Sequence, residues 1–213
     1  MTIRHQIEIE TMAIVLFAAV IGTSFAFMSK SPKIRNVSLP IIAMAPISPT
    51  PTPLPAPVTT SQISPDGTKK LSMTKSSNKD GNKTFAFTVT NTTTNETTQV
   101  YTVALSDETM DIPYNAFSPD DRYLFLEYNS KNGTQAWVMR SDGQPINATT
   151  NEQYYNVTSL FQQKMPHANY HITTGWASET LLIILTNNAD GSEGTSYWFE
   201  VPSKAIIPLS TQF

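Results

Sequence analysis

Cysteine is absent from the 213-residue chain, which removes disulfide frameworks, thiolate metal sites and cysteine nucleophiles from consideration. Charge is scarce: Asp, Glu, Lys and Arg make up 15% of the residues, against roughly a quarter in an average soluble domain. Ser, Thr and Asn take their place. Basic excess is missing as well. Setting aside Arg4, Lys30, Lys33 and Arg35 from the 14 basic residues, and Glu8 and Glu10 from the 17 acidic ones, leaves 10 against 15 from Asn36 onward, a net of −5. A mildly acidic body has no electrostatic footprint for nucleic acid, so nucleic acid is not expected as a partner. Beyond residue 28 no stretch sustains a helical apolar period; Thr158 to Lys164 has room for two turns at most.

What is present falls into four zones. A polar tail, residues 1–11, precedes the uncharged run Met12 to Met28. As a helix rising about 1.5 Å per residue this run reaches roughly 26 Å, near the lower limit for a bilayer span. It reads as a single transmembrane anchor, or as a signal peptide cleaved near Ala26 after the small-x-small triplet Ser24-Phe25-Ala26. Residues 29–61 form a linker in which Pro46 to Pro57 reads PISPTPTPLPAP, a composition that favours an extended polyproline stalk of about 3.1 Å per residue. Flanking charge and stalk disagree on sidedness. Lys30, Lys33 and Arg35 after the apolar run favour a cytoplasmic C-terminal part, whereas Ser/Thr/Pro stalks usually hold a domain away from a cell surface. The stalk argues for a cell-membrane protein with its C-terminal domain outside, or a secreted one if the segment is cut.

Residues 62–213 carry the fold. Thr84-Phe85-Ala86-Phe87-Thr88-Val89-Thr90 alternates as a half-buried strand does, and so does Val100 to Val103. Arg122 to Tyr128 and Leu181 to Leu185 are apolar on both faces, the pattern of strands covered on each side. Asp66-Gly67, Asp80-Gly81, Asn132-Gly133, Asp142-Gly143 and Asp190-Gly191 separate such runs and tolerate positive φ. The domain is expected to be all-β, with Asn151 to Tyr170 as an irregular segment.

A repeat runs through it. Ile63-Ser64-Pro65-Asp66-Gly67-Thr68-Lys69-Lys70-Leu71 returns 54 residues later as Phe117-Ser118-Pro119-Asp120-Asp121-Arg122-Tyr123-Leu124, and a degenerate third copy starts at Trp176. Each copy is followed by strand, turn, aromatic-bearing strand, turn and a weaker strand, the order of a four-stranded propeller blade. The hydrophobic-Ser-Pro-Asp-Gly/Asp-x-x-Leu motif resembles the PD40, or TolB-type, β-propeller repeat. That resemblance implies that Ser64-Pro65-Asp66-Gly67 and Ser118-Pro119-Asp120-Asp121 are structural turns joining the inner strand of a blade to the next, and that the protein is a binding or scaffold module of a bacterial envelope. About three blades fit, fewer than the four to eight that usually close a ring. The open edges must then be covered by other parts of the chain or paired with a second copy; a β-sandwich is the alternative architecture.

Chemistry is thinly represented. His167 and His171 have the four-residue spacing of helical metal ligands, but Pro166 and the strand-like run after His171 oppose that helix and no third ligand is in view. No Gly-x-Ser-x-Gly elbow appears. Asn188 to Gly194 begins like a calcium loop but has Glu193 where glycine is required and Phe199 where the bidentate acid should stand. Asp107, Glu108, Asp111, Asp120 and Asp121 make an acidic cluster read as a solvated rim. No catalytic, cofactor or metal residue is assigned, and no enzyme activity is expected. Tyr154 and Tyr155, in the irregular segment, are expected to be exposed, and with His167 and His171 they mark the candidate surface for a protein or glycan polymer. The competing function is an envelope hydrolase using the loops near His167 and His171; a third is a structural envelope subunit that oligomerises.

Overall fold

The computed structural model describes residues 54–209. The apolar run 12–28, its candidate cleavage site and residues 46–53 of the proline stretch lie outside the described residues. Among the described residues no helix is long and apolar enough to cross a membrane.

Twelve strands and one helix follow in chain order: β1 Val58–Ile63, β2 Lys69–Ser77, β3 Lys83–Asn91, β4 Thr97–Leu105, β5 Thr109–Asp111, β6 Tyr123–Ser130, β7 Gly133–Arg140, β8 Tyr154–Asn156, α1 Val157–Lys164, β9 Asn169–Trp176, β10 Leu181–Asn187, β11 Tyr197–Glu200 and β12 Ala205–Pro208. They form three separate four-stranded sheets, β1–β4, β5–β8 and β9–β12, each hydrogen-bonded in chain order and antiparallel throughout. The all-β expectation holds. None of the sheets closes on itself. The five Gly-containing turns work as their residue types require: Gly67, Gly81, Gly133, Gly143 and Gly191 all have positive φ.

Period-two patterning places the core. In β6, Leu124 and Leu126 face the first sheet while Tyr123 and Phe125 face the third; in β7, Trp137 and Met139 face the first, and Ala136 and Val138 the third. The middle sheet is therefore covered on both faces, as its unbroken apolar strand requires. On one side it meets Leu71, Met73, Phe85, Phe87, Val89 and Val100 of the first sheet. On the other it meets Leu182, Ile184, Tyr197 and Phe199 of the third sheet, with Val157 and Phe161 of α1.

Three expectations are corrected. First, β1 starts at Val58, so residues 58–61 belong to the first sheet and not to the linker; once the prolines end at Pro57, the β-branched Val58-Thr59-Thr60 is free to pair with Lys75, Thr74 and Met73. Second, β10 is fully buried on one face only: Leu182, Ile184 and Thr186 are buried, whereas Leu181, Ile183 and Leu185 are half-buried. An end sheet of the series has a neighbour on one side. Third, the segment from Asn151 to Tyr170 is not irregular throughout. Tyr154–Asn156 completes the middle sheet, and Asn156 then caps α1, its side chain accepting from Ser159 N at 2.9 Å, as Asn does at a helix start. Thr158 Oγ1 accepts from Ala136 N at 3.0 Å, satisfying a β7 amide just beyond the reach of short β8. Pro166 follows the helix.

Candidate functional site

The repeated motif forms two turns of one design. Ser64 N donates to Lys69 O at 2.8 Å and Gly67 N to Ser64 O at 3.0 Å; Ser118 N donates to Tyr123 O and Asp121 N to Ser118 O, each at 2.9 Å. Each serine hydroxyl donates to the aspartate two residues on, Asp66 Oδ1 and Asp120 Oδ1, at 2.7 Å. Each also accepts from the amide five residues on, Lys69 and Tyr123, at 3.0 Å. The serine is buried in both copies, so its hydroxyl supplies bonds that water cannot. The third copy keeps the turn with one residue fewer and no hydroxyl, Ala177 N donating to Leu181 O at 2.8 Å. In all three sheets a later amide bonds to the carbonyl just before or opening the second strand: Thr92 to Thr68, Ser141 to Arg122 and Val201 to Thr180. The sequence period is a structural period.

These turns lock neighbouring sheets together. Gln62 accepts from Ala116 N through Oε1 at 3.1 Å and donates to Tyr114 O, while Trp176 Nε1 donates to Ala116 O at 3.1 Å. One residue of the second sheet's turn approach thus bonds the equivalent stretch on either side. Lys69 Nζ donates to Asp121 O at 2.7 Å and to Ser141 Oγ at 3.0 Å. Asp66 is held well below the usual carboxylate range, first by the Thr68 amide and then by the Ser64 hydroxyl. Asp121 is pushed up, first by burial and then by Asp66.

The surface residues singled out from the sequence separate into two groups. Tyr155 is buried at 6% exposure, and Lys204 Nζ lies 3.9 Å from its ring centroid. Tyr154 is half-buried and stacks on Trp137 at 4.2 Å, which stacks on Tyr128 at 4.7 Å. Tyr101 meets this stack edge-on, 5.5 Å from Tyr154, and its hydroxyl is pushed up to about 12 by burial and by Tyr154. The expectation that both tyrosines are exposed is therefore corrected: β8 folds them into the middle sheet, one on each face.

His167 and His171 are exposed and line two different clefts. His167 lies in a cleft of about 440 Å³ with Lys164, Asn169, Asn188, Thr195 and Tyr197. His171 lies in one of about 370 Å³ with Leu185, Glu193 and Ser196. Thr186 and Asn187 line both, so the end of β10 is a shared wall. Gly194 helps to build that wall, since a Cβ on it would sit 2.5 Å from Thr186 Oγ1. The lining mixes amides, hydroxyls and imidazoles with apolar side chains such as Met165, Ile172 and Leu185 and the charged Lys164 and Glu193; its polar groups can hydrogen-bond a ligand. Sequence reasoning missed Asn169 and Asn187 and took Asn188 only as the start of a hairpin loop; their only signal was polarity at strand ends, which is also the signal of an ordinary loop.

Among the described residues no group of three or more His, Asp or Glu is placed to hold a metal. Asp190 Oδ1 accepts from Ser192 N at 3.0 Å and Ser192 Oγ at 2.7 Å, so the oxygens of the 188–194 loop serve the hairpin itself. No protein-family model matches the chain, and no curated protein matches it.

Proposed function

We propose that the chain is a membrane-anchored binding or scaffold module whose three sheets are consecutive propeller-like blades held outside the cell on the proline stalk. The observation that carries the reading is the repeated unit. Three meanders follow one another in the chain with equivalent turns, and the strands leading into those turns are bonded across sheets through Gln62, Ala116 and Trp176. Radially repeated meanders joined near their first strands are how propellers manage their edges. The resemblance of the Ser-Pro-Asp turns to TolB-type repeats points the same way and implies an interaction role, an argument from analogy of fold.

The partner that suits the paired clefts beside β10 is a hydroxyl-rich envelope polymer. Asn169, Asn187 and the histidines offer donors and acceptors, and Tyr197 lines the first cleft. Isothermal titration of the full-length protein with solubilised envelope glycan tests this. The His167→Ala, Asn169→Ala double variant, two exposed residues of the first cleft, is expected to weaken binding by about tenfold, as loss of one or two net hydrogen bonds would, with no change in melting temperature. Absence of binding, or binding indifferent to both substitutions, would contradict the site. Cleavage of the glycan by the wild type would move the reading to a hydrolase.

A further inference from the structure

The two copies of the repeat differ at the positive-φ position: Gly67 in the first, Asp121 in the second. That difference puts a carboxyl group into the seam between the first and second sheets. Asp121 is 4% exposed. Its Oδ2 lies 3.3 Å from Thr68 Oγ1, and the same hydroxyl lies 3.0 and 2.9 Å from the two carboxylate oxygens of Asp66. One hydroxyl has one proton to give. Asp121 Oδ1 meets no hydrogen-bond donor, and the side chain it faces, Asp66, is itself an acceptor. We infer that Asp66 and Asp121 share a single proton across this seam, Asp121 being the acid and Asp66 the carboxylate, and that the seam loosens when the proton leaves.

Charge balance favours the proton over a metal ion. The cation already in the seam is Lys69, whose ammonium bonds Asp121 O and Ser141 Oγ; with Asp66 ionised and Asp121 neutral, the group sums to zero. A divalent ion would find two carboxylates and a competing ammonium, well short of an oxygen-rich cation shell. The other charged groups around the seam are occupied: Arg122 with Asp120 at 3.6 Å, and Arg140 with Asp142 beside Ser141. Burial and the Asp66 carboxylate oppose ionisation of Asp121 and outweigh the Ser64 hydroxyl and the Lys69 ammonium, which favour it, so its titration in the fold lies above that in the unfolded chain. Its stabilising effect is complete in acid and is lost as pH rises through the folded value. Asp66 is held low and contributes in the opposite sense, losing its effect only in strong acid.

The test compares thermal melting of the full-length wild type and Asp121→Asn in detergent from about pH 4 to about pH 8. The amide mimics the protonated acid, and Asn tolerates positive φ. The two proteins are expected to melt together at the acid end, with the variant several degrees higher at the alkaline end. A difference that does not change with pH overturns the inference. So does a rise in wild-type melting on adding calcium or magnesium that the variant lacks, which would mean a cation site. Should the variant fail to fold, the infrared carbonyl band of a protonated carboxyl in the wild type, followed downward from about pH 8, reads the same proton: a band that appears above the pH at which the exposed carboxyls titrate supports the shared proton, and its absence there contradicts it.

Discussion

At the scale of single residues, the turns decide how closely the sheets approach. Gly143, at the turn after β7, has φ of 73°, and a Cβ on it would lie 2.5 Å from Gln99 O in β4. Gly191 has a similar φ of 84° with nothing within 4 Å. Gly143→Ala therefore meets both backbone strain and a backbone clash, whereas Gly191→Ala meets strain alone. The first is expected to cost about 2–4 kcal/mol and the second about 1; urea denaturation of each variant checks the order, and equal losses would mean that the Gln99 approach carries no weight. That all five turn glycines take positive φ was legible in the Asx-Gly pairs. The contact of Gly143 with another sheet was not, because a dipeptide specifies its own turn and says nothing about the approach of a segment 44 residues earlier in the chain.

At the scale of elements, the unbroken apolar run Tyr123 to Leu126 identified the doubly covered strand, since a strand with sheets on both sides needs apolar residues at successive positions. Leu181 to Leu185 has the same pattern and a different fate: its Leu181, Ile183 and Leu185 face is only half-buried. Hydrophobicity alone cannot distinguish a middle sheet from an end sheet. Residues 154–156 are a different case. A three-residue strand is too short for its period to register, so Tyr154 and Tyr155 read as loop residues, whereas the two turns for which Thr158 to Lys164 has room are those of α1. The paired core makes a prediction. Phe125 is fully buried between the second and third sheets, so Phe125→Ala should cost about 3–5 kcal/mol. Thr88→Ala, on the partly exposed face of β3, should cost less than about 0.5. Chemical denaturation of both variants tests this, and similar losses would contradict the serial arrangement of the sheets.

At the scale of the whole molecule, fold and function were unequally legible. Strand alternation, turn pairs and the 54-residue repeat together specify three β-meanders, because each depends on local patterns that the chain repeats. The proposed binding surface is not so specified, because the clefts by His167 and His171 are assembled from α1, β9, β10 and the following loop, and their residues are of ordinary surface types. Sidedness rests on the conflict between Lys30, Lys33 and Arg35 on one hand and the proline stalk on the other. The measurement that bears most directly on an extracytoplasmic binding module exploits the absence of cysteine. A single cysteine at Lys131, exposed at the turn between β6 and β7, is treated with a membrane-impermeant maleimide in intact cells expressing the full chain. Labelling of intact cells is the predicted result. Labelling only after lysis, with a cytoplasmic marker protected until then, would place the domain inside and contradict the account.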